Sequence, residues 1–91
     1  TITGNIVLHS SQKSSDTGAI YIYSGPDGTH DGDIITNNIV VDAGGLEATV
    51  GGFVKGQSYS SGIYLDDDTS RAIVTGNFVM GTVVGGIYLH G

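Results

Sequence analysis

The chain has 91 residues, enough for one small domain, and 16 of them are glycine. It contains 10 isoleucines, 9 valines and 9 threonines, and these β-branched residues favour strands over helices. The composition therefore argues against a helical bundle and predicts an all-β chain with many turns. The net charge of −6 argues against nucleic acid and membranes as partners, because phosphate binding needs lysine and arginine. Disulfides are excluded because there is no cysteine.

Two short patterns alternate along the chain. In the first, which we term the Asn strand, Thr-x-Asn is followed by three apolar residues. In the second, which we term the Tyr strand, a small residue is followed by Ile-Tyr and an aliphatic residue. From the amino end, the six segments lie at 3–8, 19–22, 36–41, 62–65, 75–80 and 86–89. Repeats of this size with glycine turns are typical of a β-solenoid, in which each coil lies parallel on the previous one.

The spacing of equivalent residues indicates a base period near 24 residues that insertions interrupt. Ile63 and Ile87 are 24 residues apart, whereas Ile20 and Ile63 are 43 apart. The insertions are predicted near 9–18, 24–33 and 43–61. Residues 1–91 are thus predicted to form one solenoid segment of about three coils.

Alternation along the strands assigns side chains to the interior or the exterior. In the Tyr strands, the aliphatic residues on either side of the tyrosine share one face, which we predict to be the core. In the Asn strands, three core columns are predicted: Ile2, Ile35 and Val74; Ile6, Ile39 and Phe78; and Leu8, Val41 and Met80. Asn5, Asn38 and Asn77 are predicted to lie at bends and to hydrogen-bond to one another.

Three segments carry a resemblance to a known family. They read Gly-Ile-Tyr-Leu-Asp-Asp-Asp-Thr-Ser at 62–70, Val-Thr-Gly-Asn-Phe-Val at 74–79 and Gly-Gly-Ile-Tyr-Leu-His-Gly at 85–91. This repeat pattern resembles that of the right-handed parallel β-helix proteins of the pectate-lyase-like superfamily. The resemblance implies a right-handed parallel β-helix and a class of secreted polysaccharide lyases, glycoside hydrolases and epimerases, with tailspikes and adhesins among the relatives.

The resemblance also implies an extracellular or cell-surface location and a polysaccharide or oligosaccharide partner. It implies no particular reaction, because the Asp-Pro-His signature of alginate epimerases is absent and Arg71 is the sole arginine. Three coils stack to only about 15 Å, and no cap is visible in the sequence. We therefore expect a segment of a larger solenoid, or edge strands that pair with further coils of the same protein or with another chain.

The outward face of the Tyr strands carries residues suited to carbohydrate chemistry. Stacking places Tyr21, Tyr64 and Tyr88 in one column and Tyr23, Asp66 and His90 in the next. Aromatic rings stack on sugars, and a carboxylate with an imidazole can act as acid and base. We predict Asp66 and His90 as catalytic residues, and the four tyrosines with Asp67 as substrate-binding residues. The alternative is a tyrosine ladder that only stabilises a sheet, beside aspartates that only form a turn.

No cofactor is predicted, and no metal site is assigned. Residues 26–33 gather three aspartates and two glycines, and an oxygen-rich turn of this kind can hold Ca²⁺. The spacing does not match an EF-hand and no glutamate closes the loop, so a solvated turn is the alternative. The three histidines have no i, i+4 pairing, which argues against zinc.

Two functional hypotheses follow. The first is a segment of a secreted carbohydrate-active protein that binds or cleaves polysaccharide, as a hydrolase, lyase or epimerase, along an outer groove. The second is a non-catalytic structural or binding module such as a tailspike, adhesin or spacer. Ice binding, suggested by the column Thr3, Thr36 and Thr75, ranks third because the insertions interrupt a flat face.

Overall fold

The structure is a computed structural model that describes residues 1–12, 16–27, 32–44, 46–49, 51–55 and 60–90. Its elements are β1 (Ile2–Thr3), β2 (Ile6–Leu8), β3 (Thr17–Tyr23), a 3-10 turn (Gly25–Asp27), β4 (Ile34–Thr36), β5 (Ile39–Ala43), β6 (Leu46–Thr49), β7 (Gly52–Lys55), β8 (Ser60–Asp66), β9 (Ile73–Thr75), β10 (Phe78–Thr82) and β11 (Gly85–Leu89). Over these ranges, no helix has the length and apolar character needed to cross a membrane.

Nine strands form three parallel sheets of three strands each, in the orders β1-β4-β9, β2-β5-β10 and β3-β8-β11. Each pass of the chain contributes one strand to every sheet. We term the passes layer 1 (β1 to β3), layer 2 (β4, β5 and β8) and layer 3 (β9 to β11), with layer 2 in the middle. The predicted all-β class and the parallel pairing of repeats are confirmed, and the arrangement is solenoid-like.

The register joins equivalent residues of the repeats. Ile63 pairs with Ile20 on one side and with Ile87 on the other. Within the predicted insertion 43–61, β6 and β7 form an antiparallel hairpin between β5 and β8. Each of the three predicted insertions includes residues outside the described ranges.

The core lies between the three sheets and is deepest in layer 2, which has a neighbouring layer on both sides. Ile35, Val40 and Ile63 are completely buried, and burying such a side chain stabilises the fold by about 1.5–3 kcal/mol. In layer 3, Ile87 and Leu89 continue the inward rows of β8 but are 51% and 69% exposed.

Two of the three predicted core columns are wrong. The column of Ile2, Ile35 and Val74 faces the core, but the columns of Ile6, Ile39 and Phe78 and of Leu8, Val41 and Met80 lie on the outer face. Ile6 and Phe78, for example, are 67% and 56% exposed. The reason lies at the bend, where Asn38 turns its own side chain into the interior. Alternation then restarts with Ile39 outward and Val40 inward.

The asparagines form the predicted ladder. Asn38 Oδ1 accepts the backbone N–H and the side-chain amide of Asn5, both at 3.0 Å. Asn77 Oδ1 accepts the same two groups from Asn38, both at 2.9 Å. The amide of Asn38 also donates to the carbonyl of Ile2 at 3.1 Å. The fully buried Asn38 is therefore well satisfied, and the ladder fixes the bend in each layer.

Candidate functional site

The predicted tyrosine column lies on the outer face of the β3-β8-β11 sheet. Tyr64 is in register with Tyr21 and with Tyr88. Its ring centroid lies 5.0 Å from that of Tyr21 and 4.9 Å from that of Tyr88. Tyr64 is only 4% exposed because its ring lies between the other two, whereas Tyr88 is 37% exposed. Tyr88 is therefore better placed than Tyr64 to present a ring to a ligand.

The second predicted column brings Asp66 and His90 together. The Nδ1 of His90 lies 2.7 Å from Oδ1 of Asp66, and the backbone N–H of His90 donates to the carbonyl of Leu65. Tyr23 of β3 is in register with Asp66 on the side opposite His90, and it is 49% exposed. It is not among the described residues that line the cavity next to Asp66 and His90.

Three donors converge on the buried carboxylate of Asp66. Tyr21 Oη donates to Oδ2 at 2.5 Å, and the backbone N–H of Asp67 donates to Oδ1 at 2.9 Å, beside His90 Nδ1. The Tyr21 hydrogen bond above all, with those from His90 and the Asp67 amide, lowers the pKa of Asp66 although burial opposes this. An ionised carboxylate only accepts hydrogen bonds, so Nδ1 of His90 carries the proton of this bond, and Nε2 of the half-exposed ring is the nitrogen left to exchange protons with a ligand.

The surrounding carboxylates also act on His90. The hydrogen bond to Asp66 raises the pKa of His90, and the negative charges of Asp67, Asp66 and Asp16 add to the effect, while partial desolvation opposes it. Asp67 Oδ1 lies 3.2 Å from the same Nδ1. His90 therefore keeps its acid form to a higher pH than an ordinary histidine.

Tyr64 and Tyr21 both donate their hydroxyl protons to carboxylates of this site. Burial, followed by the hydrogen bond from Tyr64 Oη to Asp16 Oδ1 at 3.1 Å, raises the pKa of Tyr64. The hydrogen bond to Asp66 raises the pKa of Tyr21 to about 12. Both phenols stay neutral near pH 7 and are unsuited to act as bases. Sequence reasoning missed Asp16, whose sole signal was an acidic residue three positions before a Tyr strand.

A cavity of about 400 Å³ opens over these groups. The described residues that line it are Asp16, Ser61, Tyr64, Asp66, Asp67, Val84, Tyr88 and His90. Its volume lies in the usual range of ~300–1,000 Å³ for small-molecule sites. The lining combines aromatic rings, carboxylates and one imidazole, a combination that suits a polar ligand with an apolar face.

The turn after β8 sets the position of Asp67. Thr69 donates its hydroxyl to the carbonyl of Asp66 at 2.6 Å, and Asp68 adopts a left-handed φ of 61°. The turn-making alternative therefore describes Asp68 well. Asp67 belongs to the same turn, but its side chain is about half exposed and lines the cavity, so it is available to a ligand.

Asp66, Asp67 and His90 are also the described residues that could hold a metal ion. One ligand atom from each lies within 4.8 Å of the others. However, Nδ1 of His90 and Oδ1 of Asp66 are hydrogen-bonded to each other, so a metal would have to replace that bond. The Ca²⁺ alternative at 26–33 depends on a turn of which residues 28–31 lie outside the described ranges.

Comparison of the chain with protein-family models, curated proteins and solved structures found no match. The resemblance to pectate-lyase-like proteins therefore rests on the repeat motifs of the sequence.

Proposed function

We propose that the chain is part of a right-handed parallel β-helix protein, located outside the cell or at its surface, that binds and hydrolyses polysaccharide. The observation that carries the proposal is the Asp66–His90 pair, 2.7 Å apart, in a cavity walled by Tyr64 and Tyr88. An oriented imidazole beside aromatic rings is an arrangement that suits a sugar ring and proton transfer to it.

Binding is assigned to Tyr88 and Asp67. The exposed part of the Tyr88 ring, which stacks beside His90 at a centroid distance of 6.1 Å, is available to the C–H groups of a sugar, and the buried ring of Tyr64 supports it from 4.9 Å away. The half-exposed carboxylate of Asp67 accepts hydrogen bonds from sugar hydroxyls.

Proton transfer is assigned to His90. In its acid form, it donates the Nε2 proton to the glycosidic oxygen as the bond to the anomeric carbon breaks. Water then adds its hydroxide to that carbon, and the carboxylate of Asp67 takes the remaining proton, which returns to His90. Asp66 becomes a positioning residue in this scheme, because three donors already engage its carboxylate.

The test is an NMR titration of the isotope-labelled protein with oligosaccharides, together with an assay for new reducing ends. We expect resonance shifts at Tyr88 and His90, and Tyr88→Ala should weaken binding about tenfold, consistent with the loss of an aromatic platform. Tyr23→Ala is the matched control, because Tyr23 is on the same face but outside the cavity lining.

His90→Gln should abolish the release of reducing ends while it preserves binding. Binding by the unaltered protein without any release would identify the non-catalytic module instead. Failure of a broad oligosaccharide panel to perturb Tyr88 and His90 would overturn the proposal as a whole.

A further inference from the structure

We infer that the polysaccharide taken by this cavity carries free amino groups, so that its preferred ligand is a polymer of amino sugars in ammonium form. This inference rests on the proposed function and names the substrate class of the same site. It follows from the charges around the cavity and from the exposed ring of Tyr88.

The cavity holds more negative than positive charge. Three carboxylates line it, those of Asp16, Asp66 and Asp67, and its described lining includes no lysine or arginine. His90 is the one lining group there that can become positive, and its Nδ1 is bonded to Asp66. Even with His90 protonated, the charges of Asp16 and Asp67 remain without a compensating cation in this lining.

This balance discriminates among sugars. A uronic acid would place its carboxylate beside Asp16 and Asp67 and would be repelled. A neutral sugar would displace water from these carboxylates without supplying a counter-charge, which costs free energy. An ammonium group on the sugar would supply that charge and would donate hydrogen bonds to the same oxygens.

The aromatic wall points to the same ligand. Tyr88 is 37% exposed and lies at the cavity with Tyr64 behind it. A cation within about 6 Å of a tyrosine ring centroid is attracted to the ring face. The net charge of −6 would also draw a polycation to the surface from a distance and would slow the approach of an acidic polymer.

The experiment compares three β-1,4-linked tetrasaccharides with one backbone: glucosamine, N-acetylglucosamine and glucose oligomers. Affinity is measured by calorimetry near pH 6, at about 20 mM and about 500 mM salt. We expect the glucosamine oligomer to bind about tenfold more tightly than the other two at low salt, and the advantage to shrink at high salt because free charges are screened.

Asp67→Asn should remove most of the preference for the glucosamine oligomer, and Asp16→Asn should reduce it. Asp42→Asn is the matched control, since Asp42 is a half-buried aspartate on β5 that pairs with His9 and is outside the cavity lining. All three substitutions change the net charge by the same amount. An effect of net charge alone would therefore weaken binding of the glucosamine oligomer equally in the three variants. Thermal unfolding confirms that each variant is folded.

Equal affinity for the three oligomers would overturn the inference and leave the proposed function standing. The same holds if Asp42→Asn reduces the preference as much as Asp67→Asn does. If no oligomer of the three, and none of a wider panel, binds at all, the proposed function itself fails.

Discussion

Asp66 and His90 are 24 residues apart in the chain, yet Nδ1 of His90 lies 2.7 Å from Oδ1 of Asp66. The stacking of β11 on β8 produces this contact, since Leu65 and Leu89 are partners in the parallel register. One layer of chain therefore returns to the same place on the sheet, displaced by a strand spacing of about 4.8 Å. The site is a consequence of the repeat.

Folding stability should depend on pH through this pair. The pKa of His90 is raised in the folded state, so its contribution is complete below the ordinary value of ~6.5 and is lost as pH rises through the raised pKa. The pKa of Asp66 is lowered, so its contribution is complete above ~3.9 and is lost as pH falls through the lowered pKa. Urea unfolding should show greatest stability between about pH 4 and 6.5.

His90→Gln should flatten the decline on the alkaline side of that window, because the titrating group is gone. The acid side should keep most of its slope, because Tyr21 and the backbone N–H of Asp67 still donate to Asp66 when the His90 hydrogen bond is gone. Unaltered protein that gains stability between pH 6 and 8 would contradict the assignment.

Asn38→Ala should destabilise the fold more than Asn5→Ala. Asn38 is completely buried and bonds to both neighbouring layers, whereas Asn5 is exposed and bonds to one. Removing a buried partner leaves its neighbours unsatisfied, at a cost of about 1–3 kcal/mol per group. Urea denaturation of both variants measures the difference, and equal losses would show that the buried step of the ladder has no special role.

The outward position of the apolar columns can be tested with two neighbouring residues. Val40→Ala should cost about 2 kcal/mol, because Val40 is completely buried. Ile39→Ala removes a larger side chain but should cost less than about 1 kcal/mol, since Ile39 is 41% exposed and on the outer face. The free energies of unfolding of the two variants are compared. A larger loss of stability in Ile39→Ala than in Val40→Ala would show that Ile39 faces the core.

Gly62→Ala should destabilise the fold by roughly 1–3 kcal/mol through overpacking. An added Cβ would meet Val79 Cγ1 and would lie 2.6 Å from the carbonyl oxygen of Gly86. Gly51→Ala is the control, because a Cβ there meets no described atom within 4 Å. Thermal unfolding compares the two variants. An unchanged melting temperature of Gly62→Ala would mean that β8, β10 and β11 are packed more loosely than the structure shows.

Pairing between repeats could be predicted because each layer carries the same short motif at the same place. The tyrosine column and the Asp66–His90 contact follow from that register alone, once the strands are taken as parallel. The outward direction of the side chains in both columns also follows from simple alternation, since the middle Tyr strand has no bend between Ile63 and Leu65.

Orientation after the Asn bend could not be predicted from alternation. Asn38 is polar, yet the ladder makes its inward position favourable, and this shifts the phase of Ile39 and Val40 by one residue. Asp16 was missed for a different reason. Its contact with Tyr64 depends on the path of the chain before β3, where no repeat motif sets the geometry.

The coupling of His90 to Asp66 is tested most directly by NMR titration of the His90 ring in the unaltered protein and in Asp66→Asn. We expect the pKa of His90 to lie above ~6.5 in the unaltered protein and to fall in Asp66→Asn, with Asp42→Asn as a control that leaves it in place. The same pKa in all three folded proteins would contradict the account.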